Sequence, residues 1–271
     1  KILTAWNGLM LGAFAEAAST FGNDEYLEIA EQNATFLLET MVEDGRLLRT
    51  HKNVDRGLKG YLEDYSFLIS GLLSLHESSF TSRWMEAAIS LGESMVDLFW
   101  DETSGHFYDT GSDHEMLVVR PRDVTDNAIP SGSAMATDVL LRLALITGNT
   151  LLQQVASTSL RSVRQVMTNY PSGAGHWICA LDFYLSSPKE IAIVGTRGDE
   201  ETEKLITEIH RNFIPNRVVV GREPNDHTLE RLPLLENKGT LGGQPTAYVC
   251  QNYVCRTPET RPEGLSLQLK S

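Results

Sequence analysis

The sequence has few cysteines and no long apolar run. Its three cysteines, Cys179, Cys250 and Cys255, are too few for the disulfide framework of a small secreted domain. They are compatible with a reducing compartment and leave a single pairing open. We favour the cytoplasm, and secretion stays open because the N-terminus is missing. No stretch approaches the roughly 18 consecutive apolar residues of a membrane-spanning helix, so we predict no membrane partner.

Positive charge is also scarce. The chain has 23 Lys and Arg residues against 36 Asp and Glu residues, a formal net charge of -13. Because basic patches bind phosphate backbones, this balance predicts no nucleic-acid partner. The 271 residues suffice for one large core or two domains. The chain starts at Lys1-Ile2-Leu3 without a signal-like segment, which we interpret as a fragment whose upstream part is missing.

Three polar-to-apolar transitions repeat along the chain. The clearest is Gly60-Tyr61-Leu62-Glu63-Asp64-Tyr65, and similar helix entrances occur at residues 4–8 and 125–132. From Asn7 to Asp64 and from Asp64 to Asn127 the spacing is about 57 and 63 residues, near the range typical of repeat architectures. Each entrance precedes two helix-periodic segments and then a glycine-led, strand-like segment, at residues 45–50, 105–110 and 175–179. The sequence therefore predicts three copies of one helical hairpin.

The pattern changes after residue 187. Residues 190–195 and 217–221 read as strands around a helix over residues 199–212, which predicts a parallel βαβ unit with a right-handed crossover. Residues 246–250 are a candidate third strand. We therefore predict a mainly α portion at residues 1–187, followed by a small α/β unit at residues 188–271.

Hairpins that repeat in this phase bury their apolar faces against one another, so they stack into a curved array or close into an (α/α) toroid. In a toroid the entrances meet at one side of the molecule, which we call the rim, and a concave ligand site is expected there. The candidates for proton transfer at the rim are Glu63, Asp64, Asp126 and His51. The alternative role of these carboxylates is to cap helix N-termini.

The remaining rim candidates would bind substrate. Aromatic faces beside polar groups suit sugar rings, which have apolar C–H faces and hydroxyl edges. The aromatic candidates are Trp6, Tyr61 and Tyr65, for which core packing is the alternative. The polar candidates, for which capping, core or surface positions are the alternatives, are Asn7, Arg120, Asn127, Ser131 and His176.

Cofactor signals are weak. Cys250 and Cys255 form a C-x4-C pair, whereas thioredoxin-type motifs and zinc knuckles have two intervening residues. We keep them as redox candidates, with buried, unreactive thiols as the alternative. Residues 195–198 follow a strand but match no nucleotide-binding pattern, and acidic residues come next. The sequence therefore predicts neither a cofactor nor a metal.

Several motifs resemble those of a known family. They are Ile2-Leu3-Thr4-Ala5-Trp6-Asn7-Gly8-Leu9-Met10, Gly60-Tyr61-Leu62-Glu63-Asp64-Tyr65, Arg120-Pro121-Arg122-Asp123, Asp126-Asn127-Ala128-Ile129-Pro130-Ser131-Gly132, and Thr246-Ala247-Tyr248-Val249-Cys250 with Cys255. Together they resemble the C-terminal part of spermatogenesis-associated protein 20 and its bacterial YyaL-like relatives. The resemblance implies an upstream thioredoxin-like domain, absent from this chain, and a six-hairpin toroid like that of glycosidases and N-acylglucosamine 2-epimerases. This chain would carry about three of the six hairpins, followed by the terminal α/β unit.

Two functions follow as hypotheses. The first is carbohydrate metabolism, as a sugar epimerase, isomerase or glycoside hydrolase acting on a sugar-like ligand; its warrant is analogy of fold, and no catalytic residue is transferred from the family. The second is a non-catalytic recognition or scaffold module that works with the upstream thioredoxin-like domain. The animal relatives are linked to spermatogenesis, which specifies no reaction.

Overall fold

The structure, a computed structural model, describes residues 1–51, 58–115 and 118–270. Most of its regular structure is helical, which confirms the mainly α prediction. Three helical hairpins occupy the first part of the chain. They are α1 (Thr4–Phe21) with α2 (Asp24–Thr40), α3 (Leu62–Ser79) with α4 (Ser82–Phe99), and α5 (Gly132–Thr147) with α6 (Thr150–Ser162).

The first and third hairpins turn with the same two residues. Gly22 and Gly148 adopt the left-handed conformation, with φ of 64° and 69°, which stops each first helix at low steric cost. The next residue, Asn23 or Asn149, accepts backbone N–H bonds at the start of the second helix. This repetition supports the prediction of one repeated unit.

The helices α1, α3 and α5 lie side by side, and α3 is buried between the other two. Helices α1 and α3 meet backbone to backbone. A Cβ atom on Gly71 would lie 2.5 Å from the Gly8 carbonyl oxygen, and one on Gly8 would lie 2.7 Å from the Leu68 nitrogen. This row agrees with the predicted array, and its closure into a toroid stays a prediction.

Short antiparallel pairs connect the hairpins. Strand β1 (Ile2–Leu3) pairs with β4 (Thr50–His51). The other two pairs are β2 (Val42–Glu43) with β3 (Arg46–Leu47), and β5 (Trp100–Asp101) with β6 (His106–Phe107). The strand-like predictions at residues 45–50 and 105–110 are therefore confirmed in part of each range.

The strand-like prediction at residues 175–179 is wrong. After α7 (Arg164–Asn169), the helix α8 (Gly175–Leu185) begins there. Trp177, Ala180 and Phe183 recur every three residues and bury one face of this helix, a spacing that a five-residue window cannot show. The Trp177 indole Nε1 also donates to the Val124 carbonyl oxygen at 2.9 Å.

The C-terminal part contains the predicted βαβ unit. Strands β7 (Lys189–Val194) and β8 (Arg217–Arg222) are parallel, and α9 (Glu200–Arg211) connects them. The predicted third strand, β9 (Thr246–Gln251), pairs antiparallel with β7. A short β10 (Val254–Cys255) pairs with β9, and the chain continues into α10 (Pro262–Lys270).

A buried histidine joins this unit to the hairpins. His76, in the last turn of α3, accepts the Gly221 N–H of β8 at Nε2 (3.3 Å), while Nδ1 lies 3.2 Å from the Thr81 carbonyl oxygen. Burial lowers the pKa of His76 to about 4, so the ring is neutral near pH 7 and can donate on one side and accept on the other. This contact holds β8, and the connection that precedes it, against α3.

Candidate functional site

The entrances of α1, α3 and α5 meet, as the repeat predicts. The Asp64 carboxylate of α3 accepts the Ala5 N–H of α1 at 3.0 Å. A Cβ atom on Gly132, the first residue of α5, would lie 3.1 Å from the Glu63 backbone nitrogen. Residues 59 or more positions apart in the sequence are therefore neighbours at the rim.

Asp64 is the most enclosed rim carboxylate. It is fully buried, and its oxygens accept from Ala5 N, from Tyr61 N at 2.8 Å and from Arg49 Nη1 at 3.1 Å. Burial raises the pKa of Asp64 to about 6, although the Tyr61 amide and Arg49 act in the opposite direction. These contacts agree with the capping alternative, in which the carboxylate holds two helix starts together.

Glu63 is more open. Its carboxylate lies 2.7 Å from Arg49 Nη1, its side chain is 31% exposed, and the Arg49 guanidinium stacks on the Tyr61 ring at 4.4 Å. Asp109, which the sequence reading missed, also lies at the rim: its carbonyl accepts the Leu62 N–H at 3.0 Å. Burial, together with the charges of Asp123 and Glu63, raises the pKa of Asp109 to about 6. The sequence signal for Asp109 was its position near the end of the glycine-led segment at residues 105–110.

The aromatic candidates and His51 have contacts of their own. Trp6 is 63% exposed and, with Asn7 and Phe36, lines a shallow depression of its own. The His51 ring packs edge-on against Phe36, with centroids 6.2 Å apart. Tyr65 is fully buried, and its hydroxyl accepts from Leu47 N at 3.0 Å and Arg46 Nη1 at 2.7 Å.

Asp126 joins two helix starts. Its carboxylate accepts the Ser131 N–H before α5 at 2.8 Å and the His176 N–H of α8 at 2.7 Å. Ser131 in turn caps α5 by accepting from Ala134 N at 3.2 Å. Asn127 is exposed. Arg120 donates to the Thr110 carbonyl and stacks on the Tyr108 ring at 4.2 Å.

A cavity among the described residues lies elsewhere. It measures about 650 Å³ and lies along the facing sides of α1, α3 and α5, with α8 and the connection between α9 and β8 completing its wall. Of the rim candidates, only His176 lines it. Its ionisable lining residues are Glu16, Glu77, Asp138, Arg142, His176, His210, Arg211 and Arg217.

Two arginines in the lining, Arg142 and Arg217, contact other charged groups of the cavity. Arg142 Nε donates to Asp138 Oδ2 at 3.0 Å, and its Nη1 donates to the Arg217 carbonyl oxygen at 3.0 Å. Arg217 Nη2 lies 3.9 Å from Glu77 Oε2 and 3.3 Å from His210 Nδ1. Burial raises the pKa of Glu77, and Arg217 and Arg142 lower it by less.

The two cavity histidines differ in their contacts. Burial, together with the charge of the nearby Arg217, lowers the pKa of His210 to about 4, so His210 is neutral near pH 7. His176 Nε2 is buried, lies 3.9 Å from Asp138 Oδ2, and has no hydrogen-bond partner in the part of the chain that the structure describes. A buried polar atom without a partner is costly, and a bound ligand would supply the missing partner.

The sequence did contain a signal for this cavity. In α3, Ser70, Ser74, Glu77 and Ser78 form a polar stripe at helical spacing within an otherwise buried helix. In α5, Asp138 and Arg142 are four residues apart in a helix that is almost entirely buried. Charged residues are rarely buried without a paired or functional role, so both features mark a site.

No part of the described chain groups three His, Cys, Asp or Glu side chains so that they could hold a metal ion. Within the same residues, no helix is both long and apolar enough to cross a membrane. Cys250 and Cys255 form a disulfide across β9 and β10, so these two redox candidates are oxidised in this structure. Cys179 is a free, exposed thiol.

The fold and the cavity together define a protein of repeated helical hairpins and a C-terminal α/β unit, with a cavity between them that we call the central cavity. No protein-family model matches the chain. It is 34% identical over 97% of its length to human spermatogenesis-associated protein 20, and 32% identical over 97% to the rat protein. An uncharacterized protein of Caenorhabditis elegans is 24% identical over 95% of the chain.

These similarities confirm the resemblance inferred from the sequence: the chain is a homologue of spermatogenesis-associated protein 20, consistent with a C-terminal part of that family. It spans 35% of the length of the human and rat relatives.

Proposed function

We propose that this chain carries a carbohydrate-acting site of the epimerase or glycoside-hydrolase kind, and that the site is the central cavity rather than the rim. One observation carries the proposal. The carboxyl groups of Glu77 and Asp138 and the unpartnered Nε2 of His176 come from three helices and line the same cavity of about 650 Å³. A volume in this range accommodates a small ligand such as a mono- or disaccharide.

The lining suits hydroxyl groups. Ser70 and Ser74 of α3 each contribute an oxygen that can donate or accept, whereas the Ser78 hydroxyl already bonds Ala15 O and Ser19 Oγ of α1. The Ser74 hydroxyl donates to Glu16 Oε1 at 3.3 Å, so a carboxylate and a hydroxyl already share a hydrogen bond on the α1 side. Such a mixture of donors and acceptors matches the edge of a sugar ring.

Two groups are suited to proton transfer. Burial raises the pKa of Glu77, which favours its protonated form and therefore a role as the acid. The Nε2 of a neutral His176 ring can accept a proton, and Asp138, 3.9 Å away, would stabilise the cation that results. Arg142 holds Asp138 in place through its Nε.

The rim is the alternative location. Glu63 and Asp109 lie there together, and the raised pKa of Asp109 fits an acid. Asp64, Asp126 and His51 stay candidates for proton transfer there, although their observed partners are backbone amides, Arg49 and the Phe36 ring.

Matched variants separate the two locations. A panel of monosaccharides, N-acetylhexosamines and glycosides would be screened with the purified chain by calorimetry and by product analysis. If the proposal is right, Glu77→Gln and His176→Gln each lower turnover by at least about 100-fold, whereas Glu63→Gln stays within about twofold of wild type. The reverse pattern would move the site to the rim. A chain that binds and converts none of these sugars would refute the carbohydrate proposal.

The second candidate is a recognition or scaffold module for a thioredoxin-like redox domain. The disulfide between Cys250 and Cys255 supports it, because Cys255 is exposed on a short terminal strand where a partner thiolate could attack. Mass spectrometry after incubation with reduced thioredoxin, followed by thiol alkylation, would detect a mixed disulfide or the reduced pair. A pair that stays oxidised under these conditions, or thiols that are reduced and unreactive from the start, would remove this candidate.

A further inference from the structure

Three consecutive apolar residues in the lining of the central cavity belong to the C-terminal unit. They are Phe213, Ile214 and Pro215, in the connection between α9 and β8. Ile214 is partly buried against the core of the α/β unit. Phe213 is 93% exposed, more than any other aromatic side chain in the described residues. The connection therefore presents one phenyl ring to solvent at the cavity.

This connection is held at both ends. Asn212 donates through Nδ2 to the Glu208 carbonyl oxygen at 2.6 Å, and Asn216 donates through Nδ2 to Asp182 Oδ2 at 2.7 Å. The Asn216 carbonyl accepts the Lys189 N–H at 3.0 Å. Phe213 therefore belongs to a segment that hydrogen bonds hold at both ends. Its ring is almost fully exposed, so packing within the fold does not account for a phenylalanine at this position.

Polar side chains of the hairpins belong to the same lining. Ser74 and Glu77 of α3 and Asp138 of α5 line the same cavity as Phe213. A pyranose ring has the matching asymmetry, since equatorial hydroxyl groups lie at its edge and C–H groups cover its faces. An aromatic ring can pack on such a face while the hydroxyl edge meets the carboxylates and serines.

We propose that Phe213 is the stacking platform of the cavity and selects pyranose sugars whose hydroxyl groups are equatorial. This inference rests on the proposed carbohydrate function and adds its ligand class and a specificity-determining residue. It also means that the α/β unit contributes to the binding site of the hairpins, because the phenyl ring in the cavity lining belongs to that unit.

The test measures affinity, not turnover. Calorimetry with the purified chain would compare methyl β-glucopyranoside, in which all ring substituents are equatorial, with sorbitol, which has hydroxyl groups but no ring face. We expect Phe213→Ala to weaken binding of the glucoside about tenfold and to leave the weak binding of sorbitol unchanged. Phe213→Trp should keep wild-type affinity or improve it.

Two further variants make the outcome decisive. Phe21→Ala is the matched control, because Phe21 is also an exposed phenylalanine, at 74%, but does not line the cavity. Phe213→Leu keeps apolar bulk without an aromatic face. Wild-type affinity in Phe213→Leu or Phe213→Ala, or an equal loss in Phe21→Ala, would overturn the stacking proposal.

The outcomes distinguish the two proposals. If turnover depends on Glu77 but affinity does not depend on Phe213, the stacking inference is wrong and the proposed function stands. If the glucoside binds in a Phe213-dependent way but no sugar is converted, the stacking inference stands and the catalytic proposal fails. If the wild-type chain binds no pyranose, both are wrong.

Discussion

The rim and the cavity use the same kinds of side chain in opposite ways. At the rim, Asp64 is buried with three donors on its two oxygens, and Asp126 bonds the starts of two helices. In the cavity, His176 Nε2 is buried without a hydrogen-bond partner among the described residues, and Glu77 lies 3.9 Å from its arginine. The comparison suggests that the rim carboxylates hold the repeat together while the cavity groups remain available to a ligand.

The largest expected effect tests the structural role of the rim. Asp64→Asn removes the charge that Ala5 N, Tyr61 N and Arg49 share, and it places an NH₂ group against one of those donors. We expect the free energy of unfolding at pH 8 to fall by about 3 to 4 kcal/mol, measured by urea denaturation.

Glu63→Gln is the control for this variant, because the Glu63 side chain is 31% exposed and bonds Arg49 alone among the contacts described. It should cost less than about 1 kcal/mol. Equal costs for the two variants would contradict the distinction between Asp64 as a structural group and Glu63 as an accessible one.

The next effect concerns the packing that brings the rim residues together. In Gly71→Ala the new Cβ would lie 2.5 Å from the Gly8 carbonyl oxygen, so α1 and α3 must separate. We expect a loss of about 2 to 3 kcal/mol in the free energy of unfolding. Gly12→Ala is the matched control, since its Cβ would approach nothing closer than 3.6 Å, and it should be neutral or stabilising by up to about 1 kcal/mol. A tolerated Gly71→Ala would refute this contact.

A pH experiment addresses the cavity side. The pKa of His210 falls from its ordinary 6.5 to about 4 on folding, so the unfolded chain binds its proton first. Its neutral ring costs nothing above about pH 6.5, and stability is lost as the pH falls from 6.5 towards 4. The expected contribution to the slope is about 1.4 kcal/mol per pH unit within that window.

His210→Gln should remove this contribution when urea denaturation is repeated between pH 4 and pH 7.5. His227→Gln is the control, because the His227 side chain is 67% exposed and lies outside the cavity lining. A His210→Gln chain with the same pH dependence as wild type would show that His210 is not held neutral.

The smallest expected effect tests whether Glu77, unlike Asp64, has no structural role. Glu77→Gln replaces a carboxyl group whose pKa burial raises with a neutral group of the same shape. We therefore expect the free energy of unfolding at pH 7 to change by less than about 1 kcal/mol, measured beside Asp64→Asn in the same urea series. A loss as large as that of Asp64→Asn would make Glu77 a structural group and remove the comparison.

The sequence predicted the repeat better than the site. The hairpins follow from features that the sequence shows directly. These are the helix periodicity, the Gly22-Asn23 turn and the spacing of Asn7, Asp64 and Asn127. The strand-like interpretation of residues 175–179 failed because the apolar spacing of α8 extends beyond them, from Trp177 to Phe183.

The sequence did not predict the cavity, and the reason is different. Glu77 and Asp138 lie within helices that apolar periodicity predicts, so the helix pattern does not single them out. The groups around them are distant in the sequence. For example, Arg142, which bonds Asp138, also donates through Nη1 to the carbonyl oxygen of Arg217, 75 positions later. Only the packing of three helices shows that they share one space. The polar stripe on α3 was visible, but its neighbours were not.

The glycine contact between α1 and α3 has a consequence for how the cavity can adapt. Because Gly8 and Gly71 bring the two backbones together, no side chain lies between them there that could rotate to let these helices slide or spread. Adjustment to ligands of different size must then come from the other elements that line the cavity, α5, α8 and the segment between α9 and β8. The pair α1 and α3 would thus act as a fixed template against which those elements set the size of the ligand.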